Sequence, residues 1–231
     1  MCSNYDEITD QDRLLREFGV SYSSEKEMAD AVAERRQKWP TELGAFIRLH
    51  ESGSGNKVIE RGTFGLLPGF AKEVAYGKRT YNARTETVHQ LPSFRESWAK
   101  GWRCIVPVET LYEPNYESGK AERWGIRRPF SEGIAVAGIY RRWTSPDGEM
   151  LWSFAMLTVN ADGHPVYSRM HKPGDEKRMV VIFDSRDEQD DWLTCSVKDA
   201  PRYFKQTKLQ LVAFPALIVR KYRGPQQELG G

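Results

Sequence analysis

Two β-prone runs, residues 133–143 and 150–159, flank the segment Thr144-Ser-Pro-Asp-Gly148, and no other stretch of the 231 residues restricts the fold as much. Proline presets the φ of a turn, aspartate bonds its own backbone and glycine accepts positive φ, so the segment closes a hairpin. A long antiparallel hairpin has to bury one face against further strands or helices.

The chain supplies both. Residues 45–50 and 57–64 are β-prone around Glu51-Ser-Gly-Ser-Gly-Asn56, a second hairpin signal, and 103–108, 178–183 and 208–214 are further strand-like runs. Helices are expected over 9–18, capped by Thr9 with Leu14, Leu15 and Phe18 on one side, and over 93–100 after Pro92, packed through Phe94 and Trp98. Ser24 with Glu27, and Ser185 with Glu188, form capping boxes that open helices to about residue 36 and to residue 193. On this pattern two helices precede the first strand. With no repeat, heptad, low-complexity segment or boundary, residues 1–231 are expected to form one α+β domain rich in antiparallel sheet.

Composition removes several classes of function. The net charge is only +2, with 34 basic against 32 acidic side chains, so a nucleic-acid surface must come from segregating the basic groups onto one face. Seven Trp, ten Tyr and ten Phe can pack a core or stack on bases. Three cysteines, Cys2, Cys104 and Cys195, show neither disulfide-framework nor CxxC spacing, and there is no apolar signal segment or long apolar run. These features predict a chain of a reducing, intracellular compartment with no membrane attachment. No HxxxH, paired CxxC or acidic ligand cluster predicts a metal, no glycine-rich loop predicts a phosphate cofactor, and no GxSxG predicts a serine hydrolase.

Cys2 follows Met1 directly. Removal of Met1 would leave one carbon carrying an α-amine and a β-thiol, both titrating within roughly two pH units of neutrality. Such a pair can close a five-membered ring on an aldehyde. On its own the position is equally that of any small residue after a start methionine. Among the histidines, His50 and His89 read as surface groups and His164 lies in a turn, whereas His171 sits in a loop just before an apolar strand that could position it. Asn82, Arg84 and Glu86 alternate, so an extended backbone would point amide, guanidinium and carboxylate to one face. Glu113, between Leu111-Tyr112 and Pro114, is expected to be partly desolvated, as a proton-transfer group requires.

Met1-Cys2, Phe64-Gly-Leu-Leu-Pro-Gly-Phe70, Tyr81-Asn-Ala-Arg-Thr-Glu86, Arg103-Cys-Ile-Val-Pro-Val-Glu-Thr-Leu-Tyr-Glu113 and Met170-His171 ahead of Arg178-Met-Val-Val-Ile-Phe183 together resemble the SOS response-associated peptidase family, in order and spacing. The resemblance implies a single α+β domain with mixed, largely antiparallel, barrel-like sheets flanked by short helices. It implies an abasic-site sensor that binds single-stranded DNA and links it covalently, as a thiazolidine, to Cys2 once Met1 is removed. By the same resemblance Asn82 holds the N-terminal residue and the sugar, Glu113 moves protons, His171 assists ring opening, Arg84 grips phosphate and Phe70 stacks on a base. A monomer without cofactor or metal, cytoplasmic, DNA-associated and of bacterial or phage origin, with autopeptidase activity at its own N-terminus, completes the expectation. The chain departs from the family's usual start, Met-Cys-Gly-Arg, at Ser3 and Asn4, from its Asn-x-Ala-Pro segment at Trp39-Pro40-Thr41, and in a longer loop between His171 and Arg178. Two other readings share the residues: a nucleic-acid-binding domain without catalysis, and an amidohydrolase with Cys2 as N-terminal nucleophile.

Overall fold

The computed structural model describes residues 3–52 and 55–216. In chain order the elements are β1 (Asn4–Glu7), α1 (Gln11–Arg13), α2 (Glu25–Ala33), β2 (Gln37–Lys38), β3 (Leu43–Leu49), β4 (Lys57–Phe64), β5 (Asn82–Arg84), α3 (Arg95–Ala99), β6 (Arg103–Asn115), β7 (Glu122–Arg127), β8 (Ile134–Thr144), β9 (Met150–Asn160), β10 (Arg178–Val180), α4 (Arg186–Thr194) and β11 (Val212–Pro215). The fold is α+β, as expected.

Both predicted hairpins form. β3 pairs with β4 from Leu43↔Thr63 to Leu49↔Lys57, and β8 pairs with β9 from Gly138↔Met156 to Thr144↔Met150. β6 lies between them, antiparallel to β3 at Ile47↔Ile105 and to β8 from Arg103↔Ile139 to Val108↔Ile134. A short parallel joint, Thr63↔Ser153 and Phe64↔Phe154, brings β9 back onto β4 and closes β3, β4, β9, β8 and β6 into a five-stranded barrel. Closure leaves those strands no open edge inside the ring.

Aromatic side chains fill the interior. Phe154 stacks on Phe64 at 5.6 Å between centroids and lies 5.4 Å from Phe46, while Tyr5 meets Phe64 edge-on at 5.2 Å. Gly44 makes room for Tyr5, because a Cβ there would stand 2.3 Å from the tyrosine hydroxyl.

Several expectations are corrected. β1 precedes both helices: its four residues are too short and polar to announce a strand, and the form comes from pairing with β6 at Asn4↔Tyr112 and with β2 at Tyr5↔Lys38. Asp10, not Thr9, caps α1, its Oδ1 accepting from the Arg13 N–H at 2.8 Å; the turn then widens into a π-helix, Leu14–Phe18, and stops at Gly19 with φ 68°. Ser24 caps α2 through the Glu27 N–H at 3.2 Å, but the Glu27 carboxylate turns to Ser23, and the helix ends at Ala33. β6 runs 13 residues rather than six, carrying Glu113 inside the sheet, and β7 carries no period that the sequence made visible. β10 and β11 are shorter than the runs expected.

β1 is fastened at its far end by Glu7, which is wholly buried. Its carboxylate accepts the Ala45 N–H at 3.1 Å and bonds Arg61 and Lys38, the ammonium 3.3 Å away. Burial nevertheless holds the Glu7 carboxyl above its ordinary range, outweighing the two cations. Between Asp6↔Thr110 and Glu7↔Val108 the register skips Glu109, a β-bulge whose carboxylate receives Arg13 and Arg36.

Candidate active site

Glu113 lies near the end of β6 opposite Trp124 of β7, and it is 2% exposed. His171 reaches it from a loop: its Nε2 stands 3.0 Å from Glu113 Oε2, and it too is buried. The backbone around His171 is built to hold that geometry. Its φ is 64°, a left-handed conformation that costs a histidine about 1 kcal/mol or more, so the surroundings must impose it. The His171 N–H donates to the Pro114 carbonyl at 2.7 Å, and Lys177 Nζ donates to the carbonyls of Met170, His171 and Lys172 at 2.8, 3.1 and 3.2 Å. Asn115 adds a bridge to Met170 and a bond to the Arg169 carbonyl at 3.1 Å.

A buried carboxylate hydrogen-bonded to an imidazole can pass one proton between them. With Glu113 ionised, Nε2 carries the hydrogen of that bond. That is the equipment of a general acid–base pair.

Asn82 opens β5, which runs parallel to β9 in the register Asn82↔Met156 and Arg84↔Thr158. Ala83 points into the core, so Asn82 and Arg84 share the other face as expected. Glu86 joins Arg84 through a chain of ion pairs rather than along the strand. β5 stops at Arg84, and Glu86, in the turn that follows, accepts Arg178 at 2.9 Å; burial alone would raise the Glu86 carboxyl, but the Arg178 bonds hold it below its ordinary range. Arg84 is half exposed and pairs with Glu176 at 2.8 Å, and Glu176 also takes Arg178. Glu176 follows His171 in the same loop, so these ion pairs tie that loop to β5. Phe70 is 55% exposed and meets Tyr76 edge-on at 5.6 Å. Cys2 lies outside the described residues.

Sequence reasoning missed the groups that set the pair in place. Lys177 and Asn115 act through backbone carbonyls and carry no motif. Arg123, across from Pro114 on β7, lays its guanidinium 3.4 Å above the Tyr112 ring and so braces the strand next to Glu113. His164, Cys104 and Cys195 have structural duties. His164 Nδ1 accepts the N–H groups of Val166 and Tyr167 at 3.1 and 3.2 Å, and burial lowers its pKa, so it stays neutral. Burial pushes the thiols of Cys104 and Cys195 up, which leaves neither activated as a nucleophile. Among the described residues no group of three or more His, Cys, Asp or Glu is placed to hold a metal ion, and no helix is long and apolar enough to cross a membrane.

The chain is similar to several known proteins. It is 30% identical over 149 residues to the abasic site processing protein YoqW of Bacillus subtilis (strain 168), covering 64% of this chain and 62% of that protein. It is 28% identical over 178 residues to the abasic site processing protein HMCES of Mus musculus, covering 63% of this chain and 48% of that one. The matched region thus spans about three-fifths of the bacterial relative and about half of the mouse one. A solved structure from Bordetella bronchiseptica superposes with a TM-score of 0.82 at 34% identity, over 94% of this chain and 100% of that one. One from Bacteroides thetaiotaomicron shares the fold, with a TM-score of 0.75 at 21% identity over 93% and 91%. The family model described as SOS response associated peptidase (SRAP) matches residues 1–217, and with these relatives it makes the chain a member of that family.

Proposed function

We propose that this protein captures abasic sites in single-stranded DNA through Cys2. The ring-opened sugar presents an aldehyde. The α-amine of Cys2, free once Met1 is gone, condenses with it to an imine and releases one water; the thiol then adds to the imine carbon, its proton passing to nitrogen, and a thiazolidine joins protein and DNA. Glu113 takes and returns the protons of these steps, His171 shares its proton and favours opening of the sugar, and Asn82 orients the sugar. Each proton-transfer group of this kind contributes about 10²–10⁴-fold. Arg84 exchanges Glu176 for a backbone phosphate, and Phe70 stacks on a neighbouring base. The same nucleophile, acting on the Met1–Cys2 bond, accounts for a peptidase activity at the chain's own N-terminus.

The observation that carries this reading is the buried 3.0 Å contact of His171 with Glu113, on a strand that pairs through Tyr112 with Asn4 at the start of β1. The names of the relatives support the substrate class. The test is incubation of protein shown by intact mass to lack Met1 with an oligonucleotide bearing one abasic site. A denaturation-resistant adduct with the summed mass less one water, abolished by Cys2→Ala, is expected. Failure of the processed protein to form it would overturn the proposal.

A further inference from the structure

The barrel has a second mouth, at the end of β6 away from Glu113. The eleven residues from Arg103 to Glu113 span about 33 Å of extended strand, so the two ends are well separated. Trp102 stands just before β6, Tyr140 beside it on β8 and Trp152 next to that on β9. Trp102 and Tyr140 lie nearly parallel, 6.4 Å apart at 30°, and Trp152 meets Tyr140 edge-on at 5.7 Å. All three rings are half-buried, and with Arg142 and Glu51 they line a cleft of about 330 Å³, within the size range of ligand sites.

Cations already cover the ring faces. Arg142 lies 4.8 Å over Trp152, Arg48 4.7 Å over the same ring and Lys100 5.0 Å over Trp102. Arg48 is buried and bound to Glu60, whereas Arg142 is exposed and makes no ion pair among the described residues. A cationic guest would meet like charge here. A flat, neutral base followed by a phosphate would not: the base lies in the cleft on the exposed Arg142 guanidinium and against the ring edges, the phosphate meets that same positive charge, and Glu51 accepts an exocyclic N–H.

We propose that this mouth is a stacking platform for a base of single-stranded DNA, a second contact remote from the Glu113–His171 pair. The proposal rests on the nucleic-acid reading above and extends it, since a strand held at both mouths is gripped on either side of the barrel.

The test uses the full chain and an undamaged single-stranded oligonucleotide of about 16 nucleotides, followed by fluorescence anisotropy across a salt series. Trp102→Ala and Arg142→Glu are each expected to weaken binding at least about fivefold, the lower edge of what one lost base stack removes. Arg142→Glu is also expected to lower the salt dependence by about one phosphate contact, and Trp102→Phe to restore most of the affinity. Capture of an abasic oligonucleotide at saturating concentration stays as in the wild type, because neither residue belongs to that site. Unchanged affinity and salt slope in variants with wild-type thermal midpoints would overturn the platform while leaving the capture reading intact. Binding of a trimethyl-lysine peptide that DNA fails to displace would overturn it as well, in favour of a cation cage. Should Trp102→Ala fail to fold, the exposed Arg142 variant and Trp102→Phe carry the test. Loss of wild-type capture alongside Trp102-dependent DNA binding would instead sink the capture reading and keep the platform.

Discussion

Glu7 and Glu113 are both carboxylates buried on paired strands of one sheet, yet their neighbours differ in kind. Glu7 sits between the permanent charges of Arg61 and Lys38 and takes a backbone N–H from Ala45. Glu113 faces the imidazole of His171, a ring whose nitrogens can both donate and accept a hydrogen. A carboxylate among fixed cations is a fastener, since its partners hold it by charge and hydrogen bonding. One beside an imidazole can trade a proton at little cost. Burial of an acid therefore says nothing of function until its partner is named.

The largest effect is expected at Glu113. Glu113→Gln is expected to slow abasic-site capture by about 10²–10⁴-fold while leaving the thermal midpoint near that of the wild type. A variant that unfolds while its folded fraction still reacts at the wild-type rate would make Glu113 a second fastener. Glu7→Ala is expected to do the reverse, costing about 3 kcal/mol in chemical denaturation because it leaves the Ala45 N–H and the buried Lys38 ammonium short of a partner and opens a void.

A smaller effect sharpens the contrast through pH. The Glu7 carboxyl is held above its ordinary value of 4.5, so in the window between that value and the folded one the native state binds more protons than the unfolded chain. Stability from this group is full below the ordinary value and is lost as pH rises through the folded one. The stability of the wild type relative to Glu7→Gln should thus rise as pH falls through that window. Glu86, held low by Arg178 against the pull of burial, has the opposite sign: the wild type should lose stability relative to Glu86→Gln as pH falls below 4.5. Paired denaturation curves over the acid range check both slopes. The smallest change is expected at Arg84, where Arg84→Ala should weaken DNA binding less than tenfold and lower the salt slope by about one contact, read by titration at several salt concentrations.

How far the chain could be read in advance followed the range of the physics involved. The Pro-Asp-Gly turn with the two strands it joins and the Ser24 and Ser185 caps depend on neighbours a few residues away, and they stand where expected. β1, the extension of β6 and all of β7 take their form from partners far along the chain, and polar residues such as Asn4, Thr110 and Glu122 mask them. At the candidate site Glu113 and His171 could each be singled out, one by apolar flanks and the other by a loop before a strand. Their meeting could not, because it depends on a left-handed His171 backbone and on Lys177 binding three carbonyls.

The amino-acid sequence by itself thus determined the hairpins, the α+β class, the family and most of the residue types that chemistry needs, because these are written in local periodicity and short motifs. Only the tertiary structure decided that β9 returns parallel to β4 to close a barrel, that Glu113 is paired with an imidazole while Glu7 is locked among cations, and that three aromatic rings share the opposite mouth. Those outcomes turn on strand register and loop conformation, where a shift of one residue would send each side chain to the other face of the sheet.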